Sequence, residues 1–201
     1  LYSYWAVGWT GDRFCRDRRV TTDPALAAAY AFALQRQFAG GNAAGSAAEC
    51  PPGVVTLAPV VTPDQLAEAF WDVRLLPPPT MTMSPDYAVT GKPVYLQIGG
   101  AQSRHFDVPN PVGAPIVIEA SSRYVVDWGD GTVERTTSRG GAWPDGDLTH
   151  VYTTSTPTQT ITVSQQWSAT WRAGPQSGAL ENLRTDGSLT FRVTQVQAVR
   201  G

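Results

Sequence analysis

The chain has 201 residues, a formal net charge of −2 and only 16% charged side chains, so it can bury a sizeable core but carries no basic stripe. This excludes recognition of a nucleic-acid backbone, and no apolar run approaches the roughly 18 residues that a membrane-spanning helix needs. Seven Trp, seven Tyr and six Phe beside 19 Gly and 16 Pro point to a turn-rich β protein rather than a helical bundle.

The first residue is Leu1, not Met, which reads as a chain from which a signal or anchor was removed, or as a fragment. Residues 1–9 are rich in aromatics, and the period-2 placement of Tyr2, Tyr4 and Ala6 predicts a short strand. Burial against the main body is the preferred reading of this cluster, ahead of an exposed binding face. A turn is expected at residues 11–12. The arginines that follow, at positions 13, 16, 18 and 19, are interrupted by Asp17 and read as a solvated loop.

Asp23-Pro24 predicts a helix start, with Asp23 as N-cap and Pro24 in the first turn. Leu26, Tyr30, Leu34 and Phe38 then fall on one stripe, and Gly40-Gly41 ends the helix. The glycines of residues 40–46 have the outline of half a phosphate loop but lack its lysine, so a surface loop is expected there. Val54 to Leu57 is a short apolar stretch. Thr62-Pro63-Asp64-Gln65 has the pattern of a capping box, opening a helix with Leu66, Phe70 and Val73 on its buried side. Pro77-Pro78-Pro79 stops it and reads as a stiff linker, dividing an N-terminal helical part (1–76) from a β part (80–201).

Cys15 and Cys50 are the only cysteines. One disulfide is the leading reading, two buried thiols the alternative, and a zinc site is disfavoured because four ligands are normally required.

From Thr80 onward the pattern is β. Alternating or β-branched runs occur around Met81 and Met83, Val94 to Ile98, Ile116 to Ala120 and Tyr124 to Asp127. Two long strands are expected at 160–171 and 188–199, the second with Leu189, Phe191 and Val193 on one face. Between Tyr124-Val125-Val126-Asp127 and Thr132-Val133-Glu134 stands Trp128-Gly129-Asp130-Gly131, where Asp130-Gly131 predicts a tight primed turn. Thr149-His150-Val151-Tyr152 follows.

Together, Asp127-Trp128-Gly129-Asp130-Gly131-Thr132 and the pair His150 and Tyr152 resemble the core signature of the PKD family of immunoglobulin-like domains. The resemblance covers about 120 residues and implies an immunoglobulin-like β-sandwich. It implies structural roles: Trp128 against the core, Asp130 and Gly131 in the turn, His150 and Tyr152 pinning the loop to the sheet. The whole chain also resembles a group of secreted actinobacterial proteins of unassigned function, with a helical N-terminal part, a proline-rich linker and a PKD-like end. Those proteins often place cysteines around the central hairpin, and this chain has none there.

Candidate chemistry is sparse. Asp127, Asp130, Glu134, Asp145 and Asp147 have the wrong spacing for an EF-hand and read as turn and cap residues, with no metal expected. His105 and His150 are the only histidines, no Gly-x-Ser-x-Gly elbow is present, and no catalytic residues or cofactors are expected. Trp143, Trp167 and Trp171 are the candidates for a ligand or interface. On a regular strand the last two would share one face about 13 Å apart, suiting sugar stacking, although burial or a protein interface is preferred. The expectation is a secreted, non-enzymatic structural or adhesive module of a cell-surface assembly. A protein partner or self-assembly ranks ahead of sugar, with a carbohydrate-binding accessory module as the alternative.

Overall fold

The computed structural model describes residues 1–10, 13–37, 48–57, 61–110 and 113–196. The turn at 11–12, Phe38, the glycine-rich stretch 40–46 and Val199 lie outside them. The protein is mainly β. Its chain forms two compact units: residues Leu1–Leu75, His105–Ile118 and Thr170–Leu180 make the first, and Leu76–Arg104, Glu119–Ala169 and Glu181–Gly201 the second.

The N-terminal part is not simply helical, which corrects the expectation above. It is built on a three-stranded sheet of order β2-β1-β3, with β1 at Tyr2–Trp9, β2 at Phe14–Thr21 and β3 at Thr56–Leu57. The arginine-rich run read as a loop is strand β2, paired with the whole of β1 from Tyr2↔Thr21 to Trp9↔Phe14. Its charges do not prevent this, because they project sideways from the strand while the backbone closes the ladder. Cys15, buried on β2, forms a disulfide with Cys50. Beside it, Arg16 exchanges backbone hydrogen bonds with Ala48 and Cys50, each 3.0 Å.

Two helices pack in this unit. Helix α1 (Pro24–Gln37) begins where the Asp23 carboxylate accepts the N–H groups of Ala25 (2.9 Å) and Leu26 (3.2 Å). Its fully buried positions are the alanines 25, 27, 29 and 33, whereas Leu26, Tyr30 and Leu34 are only half-buried. Small side chains let neighbouring backbones approach, so the alanine side is the one enclosed. Helix α2 (Pro63–Asp72) has its capping box in place: Thr62 Oγ1 accepts the Gln65 N–H and Gln65 Oε1 accepts the Thr62 N–H. It buries Leu66, Ala67, Ala69 and Trp71, while Val73, expected on the buried stripe, is exposed.

The later strands are β4 (Thr80–Ser84), β5 (Ala88–Val89), β6 (Pro93–Gly99), β7 (Ser103–Val108), β8 (Ile116–Asp127), β9 (Val133–Thr136), β10 (Thr149–Val151), β11 (Thr156–Ala173) and β12 (Gln176–Thr194). One sheet has the order β10-β6-β4; the other runs β5-β12-β11-β8-β7, with β9 on β8. The core of the second unit draws on both: Val94, Leu96 and Ile98 from β6 meet Tyr124, Val126, Ile161, Val163, Phe191 and Val193 from β8, β11 and β12. Two sheets sharing one core are consistent with a β-sandwich. The two runs expected at 116–120 and 124–127 are one twelve-residue strand, alternating buried and exposed throughout. The last two strands are longer and start earlier than expected, at 18 and 19 residues.

Candidate functional site

The signature loop connects β8 to β9. The last ladder pair is Asp127↔Val133, and the Trp128 N–H donates to the Thr132 carbonyl at 3.0 Å. Positive φ occurs at Gly129 (78°) and Gly131 (93°), and Asp130 lies between them without it. The connection is therefore not the two-residue primed turn expected from Asp130-Gly131, which would need positive φ at its first central residue, Asp130. The carboxylates account for the difference. Asp127 Oδ1 accepts the Gly129 N–H at 2.8 Å and Asp130 Oδ1 accepts the Thr132 N–H at 3.1 Å, building two successive side-chain turns.

The rest of the motif closes over that loop. Trp128 is 1% exposed and its ring stacks on His150, with centroids 4.8 Å apart and planes 15° from parallel. His150 Nε2 lies 2.7 Å from Asp130 Oδ2. The Trp128 carbonyl accepts the Tyr152 hydroxyl and the Gln159 amide, each at 3.0 Å. Burial pushes the Asp130 carboxyl up, yet hydrogen bonds from His150 and Thr132 hold it below its ordinary value. Burial, with Asp130 and Asp127 nearby, pushes the Tyr152 hydroxyl far up, so it remains a donor. The two aspartates, His150, Tyr152 and the Trp128 carbonyl are thus all engaged inside the molecule.

Of the other candidate carboxylates, Asp147 is also engaged locally. Asp147 Oδ1 accepts the Ser138 hydroxyl at 2.8 Å. Among the described residues no group of three His, Cys, Asp or Glu is arranged to hold a metal. His105 lies on the exposed β7, 3.3 Å from Asp107.

The three tryptophans separate. Trp143 is 66% exposed, but Trp167 and Trp171 are 4% and 3% exposed, so the pair does not form the open stacking platform that strand spacing allowed. Within the first unit, Gly178 leaves the space that the Trp171 indole occupies: a Cβ there would stand 2.5 Å from its Nε1.

A more open aromatic surface lies at the N-terminus, where the sequence reading favoured burial over an exposed face and missed the part played by residues 14–20. Residues directly opposite in an antiparallel pair point to the same side. The pairs Trp5↔Arg18, Val7↔Arg16, Trp9↔Phe14 and Val7↔Leu57 thus place these side chains on one face of the β2-β1-β3 sheet, with Val20 beyond them. The opposite face carries buried Ala6 and Tyr4, whose ring lies 4.4 Å from Tyr30 of α1. On the outward face Trp9 is 53% exposed, Phe14 43%, Val20 62% and Leu57 70%. Trp9 and Phe14 meet edge to face at 4.6 Å, and the Arg16 guanidinium sits 4.3 Å over the Trp5 ring. The signal was available in the alternation of residues 14–20, but the arginines in that run masked it. Compared with protein-family models, with curated proteins and with solved structures, the chain matches none.

Proposed function

We propose that this chain is a non-catalytic structural or adhesive module of an extracellular assembly, whose second unit is an immunoglobulin-like sandwich of the PKD type. Its first unit makes the contact with a protein partner or with another copy. The disulfide is compatible with an oxidising, extracellular setting, and no helix among the described residues is long and apolar enough to cross a membrane. The motif that resembles PKD domains uses its polar atoms to hold its own loop, which supports a structural role for it.

The observation that carries the reading is the outward face of the β2-β1-β3 sheet. Trp9, Phe14, Val20 and Leu57 leave apolar area in water on a surface bordered by Arg16 and Arg18. Aromatic and arginine side chains are the residue types that concentrate binding energy at protein interfaces.

The test is photo-crosslinking from position 9 in the cells that produce the protein. A photoreactive residue replacing Trp9 should give a discrete protein adduct, and one replacing exposed Lys92 in the second unit should not. The adduct should disappear when Phe14 and Leu57 are also changed to Ser. Equal labelling from both positions, or none from position 9, would overturn the assignment.

A further inference from the structure

The second unit carries a hollow that this function does not use. It has a volume of about 510 Å³ and lies against strands β8, β11 and β12, with Ser121, Arg123, Thr137, Gln166, Asn182 and Arg184 in its wall. A neighbouring hollow of about 550 Å³ shares Arg123, Thr137 and Gln166 and adds Arg135. Along β8 the buried and exposed residues alternate, placing Ser121, Arg123 and Val125 on the side away from the core. Val125 faces Arg135 across the β8–β9 ladder, so both arginines stand on that outer side.

Charge is incompletely neutralised here. Arg123 Nε donates to Gln166 Oε1 at 3.3 Å, and among the described residues neither Arg123 nor Arg135 is paired with a carboxylate. Arg184 is committed to Asp186 and Ser164. Asn182, also in the wall, has φ of 68° and is the only non-glycine residue with positive φ among those described.

We propose that this groove binds an acidic oligosaccharide. Two unneutralised guanidinium groups select an anion, and Arg can grip a carboxylate or sulfate with two parallel N–H bonds. The wall also offers hydroxyl and amide groups, from Ser121, Thr137, Gln166 and Asn182, matched to a ligand rich in hydroxyl groups, beside one carboxylate, Glu181. An acidic peptide fits less well. Strands β8 and β11 lie inside the sheet, with both their edges paired, so an added strand has no edge there, and few apolar side chains offer pockets. The four adjacent strands β9, β8, β11 and β12 span about 14 Å at the usual strand spacing, a width that an oligosaccharide crosses.

Calorimetry on the intact chain tests this with four probes: a hexagalacturonate, a heparin-derived hexasaccharide, neutral maltohexaose and hexaglutamate. At least one of the two acidic sugars should bind, and comparing them distinguishes carboxylate from sulfate recognition. Maltohexaose and hexaglutamate should bind at least tenfold more weakly. The R123A/R135A double variant should lose tenfold or more in affinity with an unchanged melting temperature. Arg135→Gln alone, which breaks no hydrogen bond or ion pair described for the fold, should lose several-fold. The W9S/F14S variant of the first unit should bind sugar like the parent, which keeps the two proposals separable. Failure of both acidic sugars to bind, equal binding of hexaglutamate, or unaltered affinity in Arg135→Gln would refute the groove.

Discussion

Gly129→Ala should cost the second unit far more stability than Gly131→Ala, although both glycines have positive φ and stand two residues apart in one loop. At Gly131 (φ 93°) an added Cβ meets nothing within 4 Å, so the cost is the left-handed backbone alone, about 1–2 kcal/mol. At Gly129 (φ 78°) the same backbone term applies, but the Cβ would land on the Thr160 carbonyl oxygen and stand 2.6 Å from Gln159 Nε2. A backbone oxygen cannot swing aside like the end of a long side chain, so the loop itself must lift. Lifting it pulls the Trp128 carbonyl from the Tyr152 hydroxyl and the Gln159 amide, and leaving such buried groups unmade costs about 1–3 kcal/mol. The expected totals are therefore roughly 2–5 kcal/mol for Gly129→Ala against roughly 1–2 kcal/mol for Gly131→Ala. Urea unfolding followed by tryptophan fluorescence measures both, and an unchanged m-value shows that the two variants share one unfolded reference. Equal losses, or a larger loss at Gly131, would refute the reasoning that the first glycine is there for close approach and the second only for backbone freedom.

Two further outcomes follow from the bonds described. Reducing Cys15–Cys50, whose positions are 35 apart in sequence, releases a loop whose closure is worth about 4 kcal/mol in the chain-entropy account; differential scanning calorimetry with and without reductant should show a clear fall in the first unit's transition, and an unmoved transition would contradict that account. The Asp130 carboxyl is held below its ordinary value in the fold, so its contribution is fully present above the ordinary carboxylate pKa and is lost as pH falls through the folded value. Thermal melting between pH 6 and pH 2 should therefore show a smaller acid-induced drop in Asp130→Asn than in the parent, and parallel curves would sink the assignment.

Several features were legible in the sequence because their causes are local. Asp23 and Thr62 cap their helices with groups two or three residues away, and the capping box needs only four consecutive positions. Positive φ at Gly131 was equally readable from its neighbours, whereas the second positive φ, at Gly129, was not. Asp130-Gly131 alone suggests a two-residue turn, and only the bonds from Asp127 and Asp130 to the loop N–H groups select the longer one. In the aromatic face the relevant residues were visible, but which way they pointed was not. The same limit applies to the groove, where Arg123 and Arg135 are twelve positions apart and meet on one surface only through the β8–β9 register.

By itself the sequence determined the mainly β character, the two capped helices, the glycine-bearing loop after Asp127 and the single disulfide pair available. Each rests on chain-local chemistry: alternation, capping, φ preference or the presence of just two thiols. Tertiary structure decided that an arginine-rich run is strand β2, that alanines rather than Leu26 and Tyr30 form the buried side of α1, and that Trp167 and Trp171 are enclosed while Trp9 is not. A strand has two faces and a helix has several sides, and local pattern fixes which residues share one. Which of those faces is covered depends on segments distant in the chain, because burial is a property of the surface that arrives to meet it.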